Sequence, residues 1–357
     1  MAENDIKIVN GLPIGTILHG GRSDYKITGY RSQDGFGILY HAKCVGRDSA
    51  KGRRPETPVM IREFFMHRCS GRDTDGVTVV TPDDIAPTVN NFYDSFVIAS
   101  KRCEAATSEV PGIVDVLELM SANNTSYYVV EYLNGETLED YVHRKGPLTV
   151  NEARAMLKPI FDGVAHLHSF RVMHTDIYPR HIRFTKSGTK TIPVLFSLYA
   201  SKHFDDSGLP IQITPMLVCR DGYAPPEQYS VVENFMPQID IYALGAVVVF
   251  ALTGQNPPDS RTITEKDIRA LLPPTLPETL TSTIIHAMQP DYSSRPSSIS
   301  SFKEELLNFF EENEQYNTLS TMEDRQRKME LYREEDSESG IHKLVWKLAS
   351  FFKSGKQ

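Results

Sequence analysis

The sequence predicts an α+β fold, with a small β-rich part followed, after Asn134, by a larger helical part. Residues 25–42 contain two β-type stretches around a glycine-bearing turn, which is the pattern of a hairpin. Residues 149–169 repeat their apolar side chains at close to helical spacing. Residues 238–254 are almost wholly apolar, which predicts a helix buried on all sides. These segments therefore predict two lobes of different secondary structure.

The predicted first lobe spans residues 20–133 and follows a leader segment at residues 1–19. Aromatic and β-branched residues indicate its strands, and polar stretches indicate its loops. After the hairpin we expect a polar loop (44–57), a third strand (58–65), a second polar insertion (67–90), a helix (about 92–108) and two strands (112–120 and 126–133).

The predicted second lobe spans residues 134–312 and is mainly helical. We expect helices at 136–144, 149–169 and 238–254, short strands near 171–173, 182–184 and 192–196, and further helices up to about residue 312. Residues 313–340 are highly charged, which predicts a solvated helix or a disordered tail.

Length and composition limit the class of protein. The 357 residues suffice for about two average domains. A hydrophobic content of 40% and a charged content of 24% are typical of soluble globular chains and argue against wholesale disorder. The formal net charge of −8 is unfavourable for a nucleic-acid binder, which normally has a basic surplus.

The cysteines and the hydropathy pattern predict a cytoplasmic protein. The four cysteines lie far apart and form no C-x-x-C pair, which indicates reduced thiols rather than disulfides or a zinc site. No apolar run reaches the length of about 18 residues that a transmembrane helix needs. The first residues, MAENDIKIVNG, lack the basic and apolar regions of a signal peptide.

Three motifs in the second lobe carry a resemblance to a known family. They are GYAPPEQYS (222–230), DIYALGAVVVFALTG (240–254) and DYSSRPSS (291–298), in this order and at suitable separations. Together they resemble the Hanks-type Ser/Thr protein kinases, particularly the bacterial members, over residues 20–310. The resemblance implies a two-lobed kinase fold in which the polar stretches of the first lobe are insertions.

The resemblance also implies structural roles for four residues. Glu227 is expected to form a bidentate contact with Arg295 that fixes the end of the activation segment to the large lobe. Asp240 is expected to brace the catalytic loop, where His174 matches the family's histidine. None of these residues performs chemistry, so they indicate the fold and not the activity.

The catalytic loop is identified, through the resemblance, as residues 174–182. Asp176 matches the family's catalytic aspartate. Tyr178 stands where a phosphate-contacting lysine is usual, and His181 stands where a magnesium-binding asparagine is usual. Imidazole is a poor ligand for magnesium, which prefers oxygen. We therefore favour Asp176 as a structural hydrogen-bond acceptor, with a catalytic base as the alternative.

The remaining phosphate and metal positions also depart from the family pattern. V-M-I-R replaces V-A-I-K, so that Arg62 takes the place of the strand lysine. Ser197 begins S-L-Y where the family has D-F-G, and thus replaces the principal magnesium carboxylate. Residues 32–37 align with G-x-G-x-x-G, of which only Gly37 remains. Asp34 in this loop would repel a polyphosphate.

Two of these positions have plainer interpretations. Arg62 could equally be an ordinary arginine whose side chain points outward from a strand, as an alternative to a phosphate contact. Asp34 followed by glycine is also a strong signal for a simple hairpin turn.

The adenine-contacting positions and the helix glutamate are altered as well. Met60 replaces the small alanine above the adenine, and Arg183 replaces an apolar residue below it. A larger side chain and a charge would occlude or alter that pocket. The glutamate of the small-lobe helix cannot be assigned, because Glu104, Ala99 and Lys101 align equally well.

Five departures therefore touch phosphate or metal while the scaffold motifs remain, at Asp34, Arg62, Tyr178, His181 and Ser197. The expectation is a pseudokinase that acts as a protein-binding or allosteric signalling module. It would have an unidentified protein partner, would not bind nucleic acid, and would need no cofactor and no metal. The activation-segment region (198–227) and the tail are the expected contact surfaces.

Two alternatives have support in the sequence, and a third, another transfer chemistry on the same fold with the nucleotide reversed, has no positive sign there. The first is an active Ser/Thr kinase with an atypical site for ATP and magnesium, Asp176 as the base and Thr214 as a phosphorylation site. The second is a peripheral membrane adaptor that uses residues 341–357, where Ile341, Leu344 and further apolar residues repeat at helical spacing among four lysines. Such a basic amphipathic helix suits an anionic membrane or a partner's groove, and packing on its own lobe is the plainer interpretation.

Overall fold

The structure is a computed structural model that describes residues 8–46, 55–108, 110–187, 190–210, 218–230 and 235–312. It contains a β-rich small lobe followed by a helical large lobe, which confirms the predicted α+β, two-lobed architecture. The predicted phosphorylation site at Thr214 and the tail helix at 341–357 lie outside the described residues.

The small lobe is built on a six-stranded antiparallel sheet in the order β1-β2-β3-β4-β8-β7. The predicted hairpin is β2 and β3, and its two strands pair from Asp24–Val45 to Asp34–Gly37. The elements of this lobe are β1 (Ile17–His19), β2 (Asp24–Asp34), β3 (Gly37–Val45), β4 (Pro58–Phe64), β5 (Gly71–Arg72), β6 (Val79–Val80), α1 (Ala86–Thr107), β7 (Val116–Ala122) and β8 (Thr125–Glu131).

Helix α1 starts earlier than the sequence predicted. It begins at Ala86 instead of near residue 92, inside the stretch interpreted as a polar insertion. Pro87 lies in its first turn, where a proline costs no intrahelical hydrogen bond. The rest of that stretch contains the short pair β5–β6. Polar residues on the exposed face of the first turns hid this start from the sequence pattern.

The large lobe packs its helices around α4. Residues 239–252 of this helix are all buried, as its apolar composition predicts. The elements of the lobe are α2 (Leu138–Lys145), α3 (Val150–Ser169), β9 (Val172–Met173), β10 (Ile182–Ser187), β11 (Lys190–Leu195), β12 (Lys202–His203), α4 (Gln238–Thr253), α5 (Glu265–Leu271), α6 (Glu278–Ala287) and α7 (Ile299–Glu312).

Capping boxes fix where three of these helices begin. In each box a threonine side chain accepts a hydrogen bond from the backbone three residues later, and the acidic side chain there accepts one from the threonine backbone. The pairs are Thr137–Asp140 for α2, Thr149–Glu152 for α3 and Thr264–Asp267 for α5. Local sequence thus specifies the first residue of each of these helices.

Gly112 lies where the chain between α1 and β7 crosses α3. Its φ is +87°, and an added Cβ would come within 1.9 Å of the carbonyl oxygen of Pro159. We expect Gly112→Ala to lower the free energy of unfolding by about 2 kcal/mol, because the left-handed backbone alone strains a side chain. Urea unfolding measures this loss. Gly29→Ala is the control, since its Cβ would meet its nearest neighbour, His41 Cβ, at 3.9 Å. Equal stability of the two variants would contradict the prediction.

Strand β12 brings two basic side chains into the interior. It pairs with β9, and Lys202 and His203 are 3% and 2% exposed. Burial lowers the pKa of His203 from 6.5 to about 4. The folded protein therefore keeps this imidazole neutral under conditions in which the unfolded chain takes up a proton.

A loss of stability in acid follows from His203. Between pH 6.5 and pH 4 the unfolded state binds more protons, so stability falls as the pH falls. We expect the wild type to lose about 2 kcal/mol more than His203→Gln between pH 7 and pH 5. Urea unfolding at several pH values measures how the free energy of unfolding of each protein changes with pH. If the free energy of unfolding changed with pH equally in the wild type and in His203→Gln, the loss of stability in acid would not come from His203.

Within the described ranges, no helix combines the length and the apolar character needed to cross a bilayer.

Candidate functional site

The loop between β9 and β10 contains the predicted catalytic residues, and α4 holds it in place. Both carboxylate oxygens of Asp240 accept hydrogen bonds, from the backbone N–H of His174 (2.7 Å) and of Thr175 (2.8 Å). His168 Nε2 donates a third bond at 2.8 Å. Burial alone would raise the pKa of Asp240, but these donors lower it overall. The bracing expected of Asp240 is thus present in the geometry.

Asp176 is enclosed by groups of its own chain. Its side chain is 0% exposed. Arg220 donates from Nε to Oδ1 (3.0 Å) and from Nη2 to Oδ2 (3.3 Å). The hydroxyl of Tyr199 donates to Oδ2 at 3.0 Å, and His181 Nδ1 lies 3.4 Å from the same oxygen. The carboxylate is therefore a hydrogen-bond acceptor whose positions are filled.

Tyr178 packs against Arg220, the cation that binds Asp176. The guanidinium of Arg220 lies over the Tyr178 ring, 4.6 Å from its centroid. Burial raises the pKa of Tyr178, so its phenol stays neutral. The position that the resemblance assigns to a phosphate-contacting lysine thus supplies an aromatic face to Arg220.

Arg62 turns inward from β4 and binds the hairpin loop. Its side chain is 5% exposed, so the interpretation as an outward-facing arginine was wrong. Nη2 donates to both carboxylate oxygens of Asp34, at 2.8 and 2.6 Å. The same Asp34 accepts from the backbone N–H of Phe36 (2.9 Å) and Gly37 (3.1 Å). Asp34 therefore stabilises the hairpin turn and neutralises Arg62 at once.

A glycine is required at position 37 because the neighbouring strand β4 lies very close to it. An added Cβ there would lie 2.4 Å from the carbonyl oxygen of Glu63 and 2.8 Å from Arg62 Nε. The motif glycine is thus explained by packing within the small lobe.

The two positions expected to hold metal carry an alcohol and an imidazole. Ser197 has φ of +76° and starts the short turn Leu198–Ala200. His181 donates from Nδ1 to the carbonyl oxygen of Asp176 (2.9 Å), and burial lowers its pKa to about 4. Across the described residues, no three His, Cys, Asp or Glu side chains are arranged to hold a metal ion. This donor set does not fit a magnesium–nucleotide complex.

The adenine positions carry a thioether and a cation. Met60 is half-buried on β4, opposite His41 and Val130. Arg183 donates from Nη1 to the carbonyl oxygen of Gly135 at 2.6 Å, and its guanidinium lies 5.4 Å from the Phe196 ring centroid. Burial lowers the pKa of Arg183, and nearby Arg31 lowers it further. A guanidinium thus occupies the place of an apolar floor.

The end of the activation segment is fixed to the large lobe by Glu227 and Arg295. Arg295 donates from Nη1 to Oε1 (2.6 Å) and from Nη2 to Oε2 (2.9 Å), and its side chain is 0% exposed. His174 is also buried and donates from Nε2 to the carbonyl oxygen of Phe196 at 3.1 Å. Burial lowers the pKa of His174, which favours the neutral ring. Both contacts join segments that are distant in sequence.

Comparison with known proteins identifies the family. Residues 103–318, more than half of the chain, match the protein kinase domain. The chain belongs to the protein kinase family. The resemblance to the protein kinases and the two-lobed kinase fold are thereby confirmed.

This kinase domain is similar to serine/threonine-protein kinases of bacteria and to sperm motility kinases of the mouse. It is 28% identical over 219 residues to probable serine/threonine-protein kinase PknB of Lactococcus lactis, covering 58% of this chain and 34% of the relative. It is 29% identical over 212 residues to serine/threonine-protein kinase PrkC of Bacillus subtilis, covering 57% and 31%. Sperm motility kinase 2B of Mus musculus is 27% identical over 183 residues, covering 48% and 35%. The kinase domain spans about a third of the length of these relatives.

None of the three candidates for the small-lobe glutamate pairs with Arg62 in the kinase domain. Glu104 binds Arg22, with Arg22 Nη2 3.1 Å from Oε1. Lys101 is exposed, and Ala99 lines a cavity beside Arg62. The carboxylate that neutralises Arg62 comes from the hairpin loop and not from α1.

Sequence reasoning missed Arg220 and the role of Tyr199. Both lie in the activation-segment region, and the one available signal was an arginine placed just before the 222–230 motif. Their side chains meet Asp176 only through folding, since Arg220 and Asp176 are 44 positions apart.

Proposed function

We propose that this kinase domain is a pseudokinase that serves as a protein-binding or allosteric signalling module and needs neither ATP nor magnesium. The observation that carries the proposal is the pairing of Asp176 with Arg220. A second internal ion pair, Arg62 with Asp34, supports it at the phosphate side of the cleft.

The surroundings of Asp176 oppose a role as a general base. A base must lie within hydrogen-bond reach of the proton that it accepts. Here Arg220 and Tyr199 already donate to both carboxylate oxygens, which are buried. Hydrogen bonds to a charged group contribute about 1.5–3 kcal/mol each, so a substrate hydroxyl would have to displace strong contacts.

The phosphate side of the cleft opposes nucleotide binding. Phosphoryl transfer depends mainly on positioning and on neutralising the phosphate charge. Arg62 is the one family position that keeps a cation, and Asp34 already neutralises it. Ser197 and His181 add no carboxylate or amide oxygen for magnesium. A nucleotide would therefore meet the Asp34 carboxylate without a compensating metal site.

The retained scaffold supports a role in binding protein partners. Glu227 and Arg295 keep the activation segment fixed although the reacting groups have changed. Such a segment offers a defined surface without requiring chemistry. Within the described part of 198–227, Leu209 is 47% exposed and provides an apolar contact. The activation-segment region is therefore the surface that we assign to a protein partner.

The competing function is an atypical serine/threonine kinase. It is favoured by the names of the similar proteins, which are serine/threonine-protein kinases, and by the presence of an aspartate at position 176. In that case Asp176 would be the base, with ATP and magnesium as cofactors.

Two measurements on the purified full chain separate these functions. The first is transfer of radiolabelled phosphate from ATP to the chain itself and to a general protein substrate. The second is thermal unfolding with millimolar ATP, with magnesium and with EDTA. We expect no phosphate transfer and no rise in the Tm. A ligand that did bind would stabilise the folded state by RT ln(1 + [L]/Kd) and would raise the Tm.

Matched variants decide the meaning of a positive signal. Transfer that disappears in Asp176→Asn and persists in Asp84→Asn, an exposed aspartate of the small lobe, would overturn the pseudokinase proposal. A rise in the Tm that depends on magnesium would show that the nucleotide binds, and would overturn the proposal that Asp34 and the missing metal ligands prevent this. Absence of both signals, in a protein that unfolds cooperatively, supports the proposal.

A further inference from the structure

A cavity of about 50 Å³ lies between α1 and the sheet, on the inner side of Arg62. Phe64, Phe92, Phe96 and Leu198 form apolar walls. Its polar lining includes Arg62 and three successive residues at the start of β12, Ser201, Lys202 and His203, and further hydroxyl groups come from Ser95, Ser100, Tyr128 and Tyr199. Arg62 and the three successive residues are each no more than 5% exposed.

Unsatisfied polar atoms are concentrated in this lining. Among the described residues, eight buried side-chain nitrogen or oxygen atoms have no hydrogen-bond partner. Four of the eight line this cavity: Arg62 Nε, Ser201 Oγ and both ring nitrogens of His203. Each such atom costs about 1–3 kcal/mol when it is left unpaired. Four of them around one space indicate that water or a bound ligand supplies their hydrogen-bond partners.

The lining favours an anion. Arg62 Nε is a donor, Ser201 can donate, and a neutral imidazole donates from one nitrogen. Lys202 adds an ammonium at the same wall, and burial lowers its pKa to about 8. An anion would raise that pKa again, because it stabilises the charged form. The cavity wall therefore carries the Lys202 ammonium and the donors of Arg62 Nε, Ser201 and His203, while the charge of Arg62 is shared with Asp34.

The size and walls of the cavity narrow the class of anion. A single water needs roughly 10–15 Å³ of such volume, so the cavity of about 50 Å³ holds a molecule of about three to five non-hydrogen atoms. The phenylalanine rings and Leu198 suit an alkyl group better than the oxygens of a fully hydrated inorganic ion. We propose that this cavity is a binding site for a small organic carboxylate, held by Arg62, Ser201, Lys202 and His203. The site shares Arg62 with the phosphate side of the cleft but uses its Nε, whereas Nη2 binds Asp34, so we expect propionate to bind whether or not the domain transfers phosphate.

Thermal unfolding of the full chain in sodium propionate tests the site. Propionamide has the same shape without the charge, and sodium chloride and sodium phosphate at equal ionic strength provide the salt controls. We expect propionate to raise the Tm in a saturable manner with Kd in the millimolar range, as befits so few atoms. Propionamide, chloride and phosphate should give smaller, non-saturating shifts.

Variants locate the binding. Ala99→Leu fills the cavity from α1 without changing its charge and should abolish the propionate shift. Ile98→Leu, at an exposed position on the same helix, should retain the shift. Lys202→Met should raise Kd at least tenfold. Ser201→Ala, which keeps both charges, should raise Kd about threefold and replaces Lys202→Met if that variant does not fold.

Four outcomes would overturn the inference. Equal shifts in all salts would indicate a general ionic effect, and no shift would indicate a cavity filled by water. A propionate shift that survives Ala99→Leu would place the binding elsewhere. If phosphate stabilised the protein as strongly as propionate, the assignment of an organic carboxylate would be wrong.

Discussion

Glu227→Ala is expected to lower the free energy of unfolding by about 3–5 kcal/mol, the cost of breaking a buried ion pair from one side. The Arg295 guanidinium would remain charged, because arginine does not lose its proton in proteins. Its side chain is 0% exposed, so water cannot replace the missing carboxylate without a local opening of the lobe. The remaining bonds to the carbonyl oxygens of Gln289, Gln238 and Pro290 would satisfy hydrogens but not the charge.

Urea unfolding of the variant and of a matched exposed pair measures this effect. Arg144 binds Glu136 in the same bidentate manner, with the arginine side chain 62% exposed. Glu136→Ala should cost less than about 1 kcal/mol, as solvent-exposed pairs do. Similar losses in the two variants would show that burial of Arg295 does not control the energy of its contact.

Arg72→Met is the second substitution with a large expected effect, again about 3–5 kcal/mol. Arg72 donates from both terminal nitrogens to Glu63, at 2.8 and 2.6 Å, and the Glu63 side chain is 0% exposed. The hydroxyls of Tyr40 (2.5 Å) and Tyr127 (2.9 Å) donate to the same carboxylate. Methionine would keep much of the packing volume and remove the cation, which leaves a buried negative charge.

A double-mutant cycle separates charge from packing at this site. Glu63→Gln combined with Arg72→Met removes both charges and should recover more than half of the loss. The same cycle on Lys43 and Glu56, whose carboxylate is 68% exposed, serves as the control and should show little coupling. If the double variant is no more stable than Arg72→Met, the unpaired charge is not the cause of the loss.

The elements with a strong local pattern could be predicted from the sequence. The hairpin, the aromatic strand β8 and the helices α3 and α4 all follow from periodicity and composition. The start of α1 could not be predicted, because polar residues occupy the solvent-facing side of its first turns. Strands β5, β6 and β12 are two residues long and depend on their partners, so they have no pattern of their own.

For the site, the sequence indicated which positions had changed but not what the new residues contact. Arg62 and Asp34 were each recognised as departures, and their ion pair joins positions 28 residues apart. Arg220 was not recognised, because its role depends on a fold that brings it to Asp176. A linear motif records residue types at fixed spacing, whereas these contacts depend on tertiary distance.

The complete burial of α4 has a consequence for how the large lobe opens. Amide hydrogens of a helix exchange with solvent only when the helix is exposed, and residues 239–252 have no face that reaches water. Local fluctuations that expose the surface helices therefore leave α4 protected, and its amides exchange only in the most extensive opening of the lobe. In hydrogen–deuterium exchange, the amides within this helix report the global free energy of unfolding.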